Sequence, residues 1–302
     1  MQELQITDIS IDSIENQLTL QKRLHLAILR LDKIHPIVSG NKWFKLQYYL
    51  REATEKGYQT LLTFGGAYSN HIAATAYAAK AHGFNAIGVI RGEQPQQWSH
   101  TLQEASAQGM QLTFLPRNEF AQIKRNASAK WIEQRFGKVY AIPEGGYGKL
   151  GKHGAADILR IADTSIYTHF VSAVGTGTTV AGILQASGAN QHVSGISVMK
   201  NNFGLADEIQ KLSDSPELPE FRLIHDYHFG GYARYSTELL DFMNNFYRTT
   251  HIPLDFVYTA KMMFGVFDLI RNDYYPPGSV ILAIHTGGLQ GNESLPPGRL
   301  LF

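Results

Sequence analysis

A lysine at residue 42 stands where a turn runs into an amphipathic helix pattern, in the segment Ser39–Leu46. The aligned peptide dipoles of a helix place partial positive charge at its N-terminus, and this charge, together with burial, lowers the pKa of an amine. A lysine whose amine is partly neutral can attack an aldehyde and carry it as a Schiff base. Taken alone, the pattern also fits the commoner case, a solvated lysine after the turn Gly40-Asn41.

A second polar cluster, Ser69-Asn70-His71, follows the glycine pair Gly65-Gly66 at the end of an apolar run. The order of strand, glycine turn and helix start exposes backbone amides that bind carboxylates or phosphates. Ser69 and Asn70 are also residue types that cap helices. The cluster therefore predicts either an anion site or an ordinary helix cap.

A third motif, Gly175–Gly182, lies between an apolar strand and a helix and is rich in glycine and threonine. Its backbone amides and hydroxyls predict a phosphate-binding loop. It matches neither common nucleotide fingerprint, because Val180 stands where the dinucleotide pattern needs glycine and no Gly-Lys-Ser/Thr follows. The alternative is a tight turn between the strand and the helix.

Two further segments combine glycine with polar residues. The motif His285-Thr286-Gly287-Gly288 ends the last predicted strand, at the edge of an open α/β sheet where ligands gather. Taken alone, His285 favours a structural histidine over a catalytic base. The glycine-rich segment 143–151 predicts a domain seam with a turn or a ligand contact, although an ordinary surface loop fits its composition as well.

The motifs are spaced along alternating strand and helix patterns. Apolar runs at 60–64, 85–91, 112–115, 139–142, 170–174, 194–199 and 280–284 alternate with helical patterns at 69–82, 118–136, 153–162 and 205–212, with a helix after residue 177 and two more before residue 280. Strands separated by helices form parallel sheets. The chain is therefore predicted to be an α/β protein with two open, twisted, mostly parallel sheets and helices on both faces.

The composition narrows the class of protein. The 302 residues are 44% hydrophobic and 18% charged, which is ordinary for a folded globular protein. A formal net charge of +1 gives no broad basic surface for nucleic acid or an anionic membrane. No apolar run approaches the roughly 18 residues of a spanning helix, and the first eight residues lack the pattern of an export signal. The absence of cysteine excludes disulfides and thiolate metal sites, so we expect no metal and a cytoplasmic location.

Together and in this order, the motifs around Lys42, Ser69, Gly175 and His285 resemble those of the D-cysteine desulfhydrase and 1-aminocyclopropane-1-carboxylate deaminase family. This family has the tryptophan-synthase-β fold of pyridoxal-phosphate enzymes. The resemblance spans nearly the whole chain. It implies a homodimer that binds pyridoxal phosphate and a small amino acid.

The resemblance also implies a domain arrangement with the cofactor in a cleft. We expect a large cofactor-binding domain made of residues 1–45 and 160–302, and a small domain made of residues 46–159. The two predicted sheets would then belong to different domains.

Individual residues receive roles from the same resemblance. Lys42 is expected to hold pyridoxal phosphate covalently and to move the α-proton of the substrate. The other residues expected to bind the cofactor are Lys45, Asn70, Gly175, Thr176, Gly177, Thr178, Thr179 and Thr286. Those expected to bind the substrate are Ser69, Asn70, His71 and Thr259. Ser69 is also expected to be catalytic, with the tyrosines Tyr258 and Tyr232, and Tyr235 lies close to the second of these.

Two threonines bear on the choice of substrate. The deaminase branch of the family carries a glutamate and a leucine where this sequence, like the desulfhydrase branch, has Thr259 and Thr286. A carboxylate at the pyridine nitrogen keeps the ring protonated and a strong electron sink, whereas a neutral threonine does not. A weaker sink suits β-elimination. Departures from the family pattern at Leu31, Lys33 and Phe44 leave the substrate range open.

The leading hypothesis is therefore a lyase that converts D-cysteine or a similar small amino acid to pyruvate, ammonia and a leaving group. One alternative is a 1-aminocyclopropane-1-carboxylate deaminase, against which the two threonines count. The other is a non-catalytic cofactor- or nucleotide-binding protein. The presence of Lys42, Ser69, Asn70 and Tyr258 together counts against that alternative.

Overall fold

The computed structural model of the chain describes residues 9–35, 38, 40–126, 129–214 and 219–302. Residues 1–8, on which the expectation about an export signal rests, lie outside the described residues, as does Ser39 of the lysine motif. Within the described ranges, no helix is both long enough and apolar enough to cross a lipid bilayer.

The strands of the described residues form two sheets. The strands are Ile11–Ile14 (β1), His25–Arg30 (β2), Thr60–Gly65 (β3), Asn85–Arg91 (β4), Met110–Leu115 (β5), Tyr140–Ile142 (β6), His169–Val174 (β7), His192–Ser197 (β8), Glu220–Ile224 (β9) and Val280–His285 (β10). The larger sheet has the order β1-β2-β10-β7-β8-β9 and is parallel except for β1, which pairs antiparallel with β2. The smaller sheet has the order β5-β4-β3-β6 and is parallel throughout.

The α-helices of the described residues connect these strands. They are Gln17–Lys22 (α1), Asn41–Glu55 (α2), Asn70–Ala81 (α3), His100–Ala107 (α4), Arg117–Asn126 (α5), Ala129–Phe136 (α6), Lys149–Ala156 (α7), Thr178–Ala186 (α8), Leu205–Ser213 (α9), Thr237–Thr250 (α10) and Thr259–Arg271 (α11).

Alternate residues of the central strands face opposite sides of the larger sheet. In β10, Leu282 and Ile284 belong to the core that includes α2 and α8, whereas Ile281 and Ala283 belong to the core that includes α10 and α11. Burial on both faces explains why these strands are continuous apolar runs. The smaller sheet is also buried on both faces. The predicted fold class, with two mostly parallel sheets covered by helices, is confirmed.

Some predicted elements need correction. The helical pattern at 118–136 is two helices, α5 and α6, and the helix predicted to start near residue 153 starts at Lys149. Strands β1 and β9 were not predicted, because they are edge strands whose partly exposed residues make no continuous apolar run. Helix α1 and strand β2 were also not predicted. Strands β3 to β6 all lie within residues 46–159; the domain boundaries themselves stay a prediction.

Two glycines border helix α2 where neighbouring backbone leaves no room for a side chain. A Cβ atom at Gly40 would lie 1.9 Å from the carbonyl oxygen of Thr286, and one at Gly154 in α7 would lie 1.8 Å from that of Phe44. Gly40 also has a φ of +74°, in the left-handed region that favours glycine. The backbone of α2 therefore contacts both the loop after β10 and helix α7 directly.

Candidate active site

Lys42 lies in the first turn of α2 and is half-buried. Its Nζ donates a 2.9 Å hydrogen bond to Asn41 Oδ1. Burial lowers the pKa of Lys42 to about 8, although the negative charge of Asp255 raises it. Roughly a tenth of the amine is therefore neutral at pH 7, far more than for an ordinary lysine. This is the state in which a lysine acts as a nucleophile or a base.

Asn41 connects this lysine to the third sequence motif. Its Nδ2 donates a 2.7 Å hydrogen bond to Thr179 Oγ1, at the start of α8. The side chain is buried. Asn41 has no role that could be predicted from the sequence, because its partner Thr179 is 138 residues away in the chain.

The loop between β7 and α8 presents donors at a helix N-terminus. Gly177 has a φ of +81° and precedes the first residue of α8, Thr178, which is fully buried. Thr178 Oγ1 lies 3.2 Å from Thr176 Oγ1. The amides of the first turn of a helix have no partner within the helix, so this end can bind an anion. A Cβ atom at Gly175 would lie 3.2 Å from the ring of Tyr258, so the glycine leaves space for that ring.

Lys45, one turn after the cofactor lysine candidate, is buried with 3% of its surface exposed. Its Nζ donates a long hydrogen bond of 3.4 Å to the carbonyl oxygen of Gly145. Among the described residues, no carboxylate forms an ion pair with Lys42 or Lys45. Burial and the charge of Lys42 hold the pKa of Lys45 well below its usual value. A bound anion would stabilise both charged lysines at this place.

Ser69 caps helix α3, as one of the two sequence interpretations predicts. Its Oγ accepts a 3.4 Å hydrogen bond from the backbone N–H of Ile72, so the hydroxyl proton is left to donate to another group. Asn70 begins the helix, and its Oδ1 is buried without a hydrogen-bond partner among the described residues. Buried polar atoms in native proteins are nearly always paired, so this amide is expected to meet a ligand.

His71 lies deeper than the two residues before it. It is buried, and its Nε2 lies 2.8 Å from Thr63 Oγ1. Burial, followed by the positive charges of Lys42 and Lys45, lowers the pKa of His71 to about 3. A neutral imidazole offers no positive charge to a carboxylate. The role of His71 in binding the substrate stays a prediction.

Tyr258 and Tyr232 form a pair whose hydroxyl oxygens are 3.4 Å apart and whose ring centroids are 5.9 Å apart. Tyr235 contacts Phe256, so the structure pairs Tyr232 with Tyr258. Burial and the neighbouring Tyr232 raise the pKa of Tyr258 well above its usual value. At neutral pH this side chain is therefore a phenol that donates a hydrogen bond.

Asp255 is a buried carboxylate to which the sequence analysis gave no role. It accepts hydrogen bonds of 3.0, 2.9 and 2.9 Å from the backbone N–H groups of Val257, Tyr258 and Thr259, and one of 2.7 Å from Thr259 Oγ1. Thr259 Oγ1 also accepts a 2.7 Å hydrogen bond from Asp255 N. Thr259 is fully buried and its hydroxyl is used in this turn. Its role in binding the substrate stays a prediction. Asp255 lies four residues before the first residue of α11, so no helix-capping pattern in the sequence marked it.

The loop after β10 lies between the start of α3 and the Asp255 turn. A Cβ atom at Gly288 would lie 2.7 Å from Asn70 Nδ2 and 3.4 Å from Asp255 Cγ. The carbonyl oxygen of Thr286 accepts a 3.2 Å hydrogen bond from Asn41 N. The motifs around Lys42, Asn70 and Thr286 therefore meet in space.

His285, the last residue of β10, stabilises the start of this loop. It is fully buried, its Nε2 donates a 2.8 Å hydrogen bond to the carbonyl oxygen of Pro253, and its Nδ1 lies 3.3 Å from Asp32 Oδ1. Asp32 in turn accepts two hydrogen bonds from Arg30, of 2.8 and 2.6 Å. His285 is thus a structural histidine, as the sequence favoured.

The chain is similar to known proteins in sequence and in fold. The sequence pattern of a family described as pyridoxal-phosphate dependent enzyme matches residues 16–287. A Thermotoga maritima protein with the provisional name 1-aminocyclopropane-1-carboxylate deaminase is 31% identical over 88% of this chain and 89% of its own length. An Arabidopsis thaliana protein, the mitochondrial bifunctional D-cysteine desulfhydrase/1-aminocyclopropane-1-carboxylate deaminase, is 30% identical over 84% of this chain and 70% of its own. The crystal structure of an ACC deaminase homologue superposes with a TM-score of 0.82 at 27% identity, covering 96% of this chain and 92% of its own.

Proposed function

This chain belongs to the family of pyridoxal-phosphate-dependent enzymes, and on that premise we propose that it eliminates the β-substituent of D-cysteine or a similar small amino acid. The enzyme is a lyase of the 1-aminocyclopropane-1-carboxylate deaminase and D-cysteine desulfhydrase type. Its products would be pyruvate, ammonia and the leaving group. The observation that supports the proposal is the position of Lys42. Its Nζ is linked through Asn41 to Thr179 at the start of α8, a helix end that could bind an anion, and its pKa is lowered to about 8.

The residues present fit pyridoxal phosphate. Lys42 supplies the amine, and the first turn of α8 supplies donors for the phosphate beside the buried cation Lys45. The unpartnered amide oxygen of Asn70 marks a place where a polar ligand completes the structure. When bound, the cofactor supplies an electron sink conjugated to the α-carbon of the substrate.

The residues of this chain would orient the substrate and move its protons. The Ser69 hydroxyl and the first-turn amides of α3 can receive the substrate carboxylate. The neutral form of Lys42 Nζ can accept the α-proton. Tyr258, held as a phenol, donates to the Tyr232 hydroxyl, which leaves the proton of Tyr232 to be donated to the departing group.

A substrate panel tests the proposal. The cofactor-loaded protein would be assayed for pyruvate or 2-oxobutyrate with D- and L-cysteine, D-serine, β-chloro-D-alanine and 1-aminocyclopropane-1-carboxylate. We expect kcat/KM to be highest for a β-substituted D-amino acid. A higher value for the cyclopropane amino acid would establish the deaminase, which the names of several relatives favour. No product from any of them would point to a non-catalytic cofactor-binding protein.

The proposal extends to assembly, location and the absence of other partners. We propose a cytoplasmic homodimer that binds neither nucleic acid nor membrane. Sedimentation of the purified protein would measure its oligomeric state, and cell fractionation its location.

A further inference from the structure

Lys261 is a fully buried lysine in the first turn of α11, three residues after Tyr258. Its Nζ donates hydrogen bonds of 2.9 Å to the carbonyl oxygen of His228 and 2.7 Å to that of Gly231. Both carbonyls belong to the loop that carries Tyr232. A buried ammonium is stable only with such partners, so the loop and the lysine depend on each other.

The loop that carries Tyr232 adopts backbone angles that its residue types do not favour on their own. Phe229, Gly230, Gly231 and Ala233 have φ angles of +49°, +89°, +115° and +53°. The left-handed region is strained for Phe229 and Ala233, because they carry side chains. Strained segments persist only where the surrounding structure holds them, and here the surrounding structure includes Lys261.

The lysine binds the two carbonyls that close the turns of this loop. His228 O accepts from Gly231 N at 2.9 Å, and Gly231 O accepts from Arg234 N at 3.1 Å. Each of these oxygens therefore has two donors, one from the turn and one from Lys261. Removing the ammonium would weaken both the turn before Tyr232 and the turn that contains it.

We propose that Lys261 is a positioning residue that fixes Tyr232 against Tyr258 and thereby sets the pair of hydroxyls that faces the substrate. Tyr258 precedes the first residue of α11 and Lys261 lies in its first turn, so one helix end holds both sides of the pair. The inference rests on the proposed function, because the hydroxyl pair acts only if the cleft holds a substrate.

The substitution Lys261→Met removes the ammonium and keeps an unbranched side chain. The chain offers a matched control in Lys152, which is also buried and whose Nζ donates a 3.1 Å hydrogen bond to the carbonyl oxygen of Ser213. Hydrogen–deuterium exchange of the cofactor-loaded protein is the first readout. We expect faster exchange in a peptide covering 226–235 for Lys261→Met and wild-type exchange there for Lys152→Met, because local opening follows the loss of local contacts. Unchanged exchange in Lys261→Met would overturn the proposal.

A double-mutant cycle with Tyr232→Phe is the second readout. We expect Lys261→Met to lower kcat/KM about 10- to 100-fold in the wild-type background, since small misplacements of a positioned group have costs of this order. In the Tyr232→Phe background the same change should cost less than about threefold, because coupled residues are not additive. Losses that multiply in the double variant would show that Lys261 does not act through Tyr232.

A second variant covers the case in which Lys261→Met fails to fold. Lys261→Arg keeps a cation. We expect its loop to exchange somewhat faster than the wild-type loop, and its kcat/KM to lie between those of wild type and of Tyr232→Phe. Wild-type exchange combined with a large loss of kcat/KM would contradict the proposal. If wild type converts no amino acid in the panel, the proposed function fails, while the exchange measurement still decides whether Lys261 holds the loop.

Discussion

Asn41 Nδ2 donates a 2.7 Å hydrogen bond to Thr179 Oγ1 across 138 residues of sequence. The other end of the same amide, Oδ1, accepts the hydrogen bond from Lys42 Nζ. One buried asparagine therefore fixes the distance between the Lys42 amine and the helix end proposed to bind phosphate. This is the spacing that a cofactor with an aldehyde at one end and a phosphate at the other must match.

Replacing that asparagine should weaken both the fold and cofactor binding. We expect Asn41→Ala to lower the free energy of unfolding by about 1–3 kcal/mol, because it leaves buried groups unpaired, and to speed cofactor loss on dialysis. Asn244 is a matched control, since its amide also bonds two partners, Arg299 O and Leu301 N. Asn244→Ala should retain cofactor as wild type does. Equal retention by both variants would contradict the bridging role.

Removal of the Lys42 amine should have a spectroscopic signature. Lys42→Ala should lose the visible absorbance of the lysine-bound cofactor and all turnover, because alanine has no amine but is well tolerated in a helix. Circular dichroism should be unchanged. The control is Lys149→Ala, at the exposed start of α7, which should keep both properties. A persistent absorbance band in Lys42→Ala would assign the cofactor to another lysine.

The threonine-rich loop can be tested by one hydroxyl. Thr178→Val removes a donor to the phosphate and should raise the dissociation constant of the cofactor by about tenfold, the effect of roughly 1.4 kcal/mol. Thr75 is buried in α3 and its hydroxyl has no hydrogen-bond partner among the described residues. Thr75→Val should therefore leave cofactor affinity near wild type. Equal affinities for the two variants would remove Thr178 from the phosphate site.

The charge of Asp255 should control the pH at which Lys42 reacts. With a pKa of about 8, the neutral fraction of Lys42 rises with pH and levels off above that value. The rate at which the apoprotein takes up pyridoxal phosphate should follow the same curve. The Asp255 carboxylate favours the charged ammonium, so Asp255→Asn should move the inflection to lower pH. Asp268 is a remote carboxylate that accepts a hydrogen bond from Tyr227, and Asp268→Asn should leave the inflection at its wild-type pH. A shift of the inflection to higher pH in Asp255→Asn would contradict the prediction.

Thr259 offers a test that separates structure from substrate choice. Because its hydroxyl donates to the Asp255 carboxylate at 2.7 Å with no exposed surface, Thr259→Glu would place two buried carboxylates in contact. We expect a loss of about 3–5 kcal/mol in the free energy of unfolding, the usual effect of an unpaired buried charge. Thr286→Leu alone should be milder. A stable Thr259→Glu, Thr286→Leu variant that opens the cyclopropane ring would contradict this expectation and support a direct contact between position 259 and the substrate.

The sequence predicted best where function depends on local pattern. Ser69 and Gly175 each lie at a junction of strand, glycine turn and helix, and Lys42 follows a glycine turn at the start of a helix. Such local patterns can be recognised without knowing the fold. Lys261 was not predictable in this way, because its partners His228 and Gly231 lie 33 and 30 residues away.

Edge strands and buried charges mark the limit of the fold prediction. Strand β9 is half-exposed, so its residues lack the continuous apolar run that revealed β7 and β10. Asp255 sits in an otherwise apolar stretch, where a single acidic residue does not show which amides it will meet. Its role follows only from the turn that it organises.

The glycines at positions 40 and 154 also limit how this enzyme could be redesigned. A Cβ atom at either position would lie less than 2 Å from a backbone carbonyl oxygen. Helix α2 therefore packs directly against main-chain atoms at both contacts. Because these contacts are made by backbone atoms, neighbouring side chains cannot be changed to make room. Any residue larger than glycine would displace the helix that carries Lys42. Libraries aimed at new substrates should therefore leave these two positions fixed and vary exposed side chains such as Tyr232 instead.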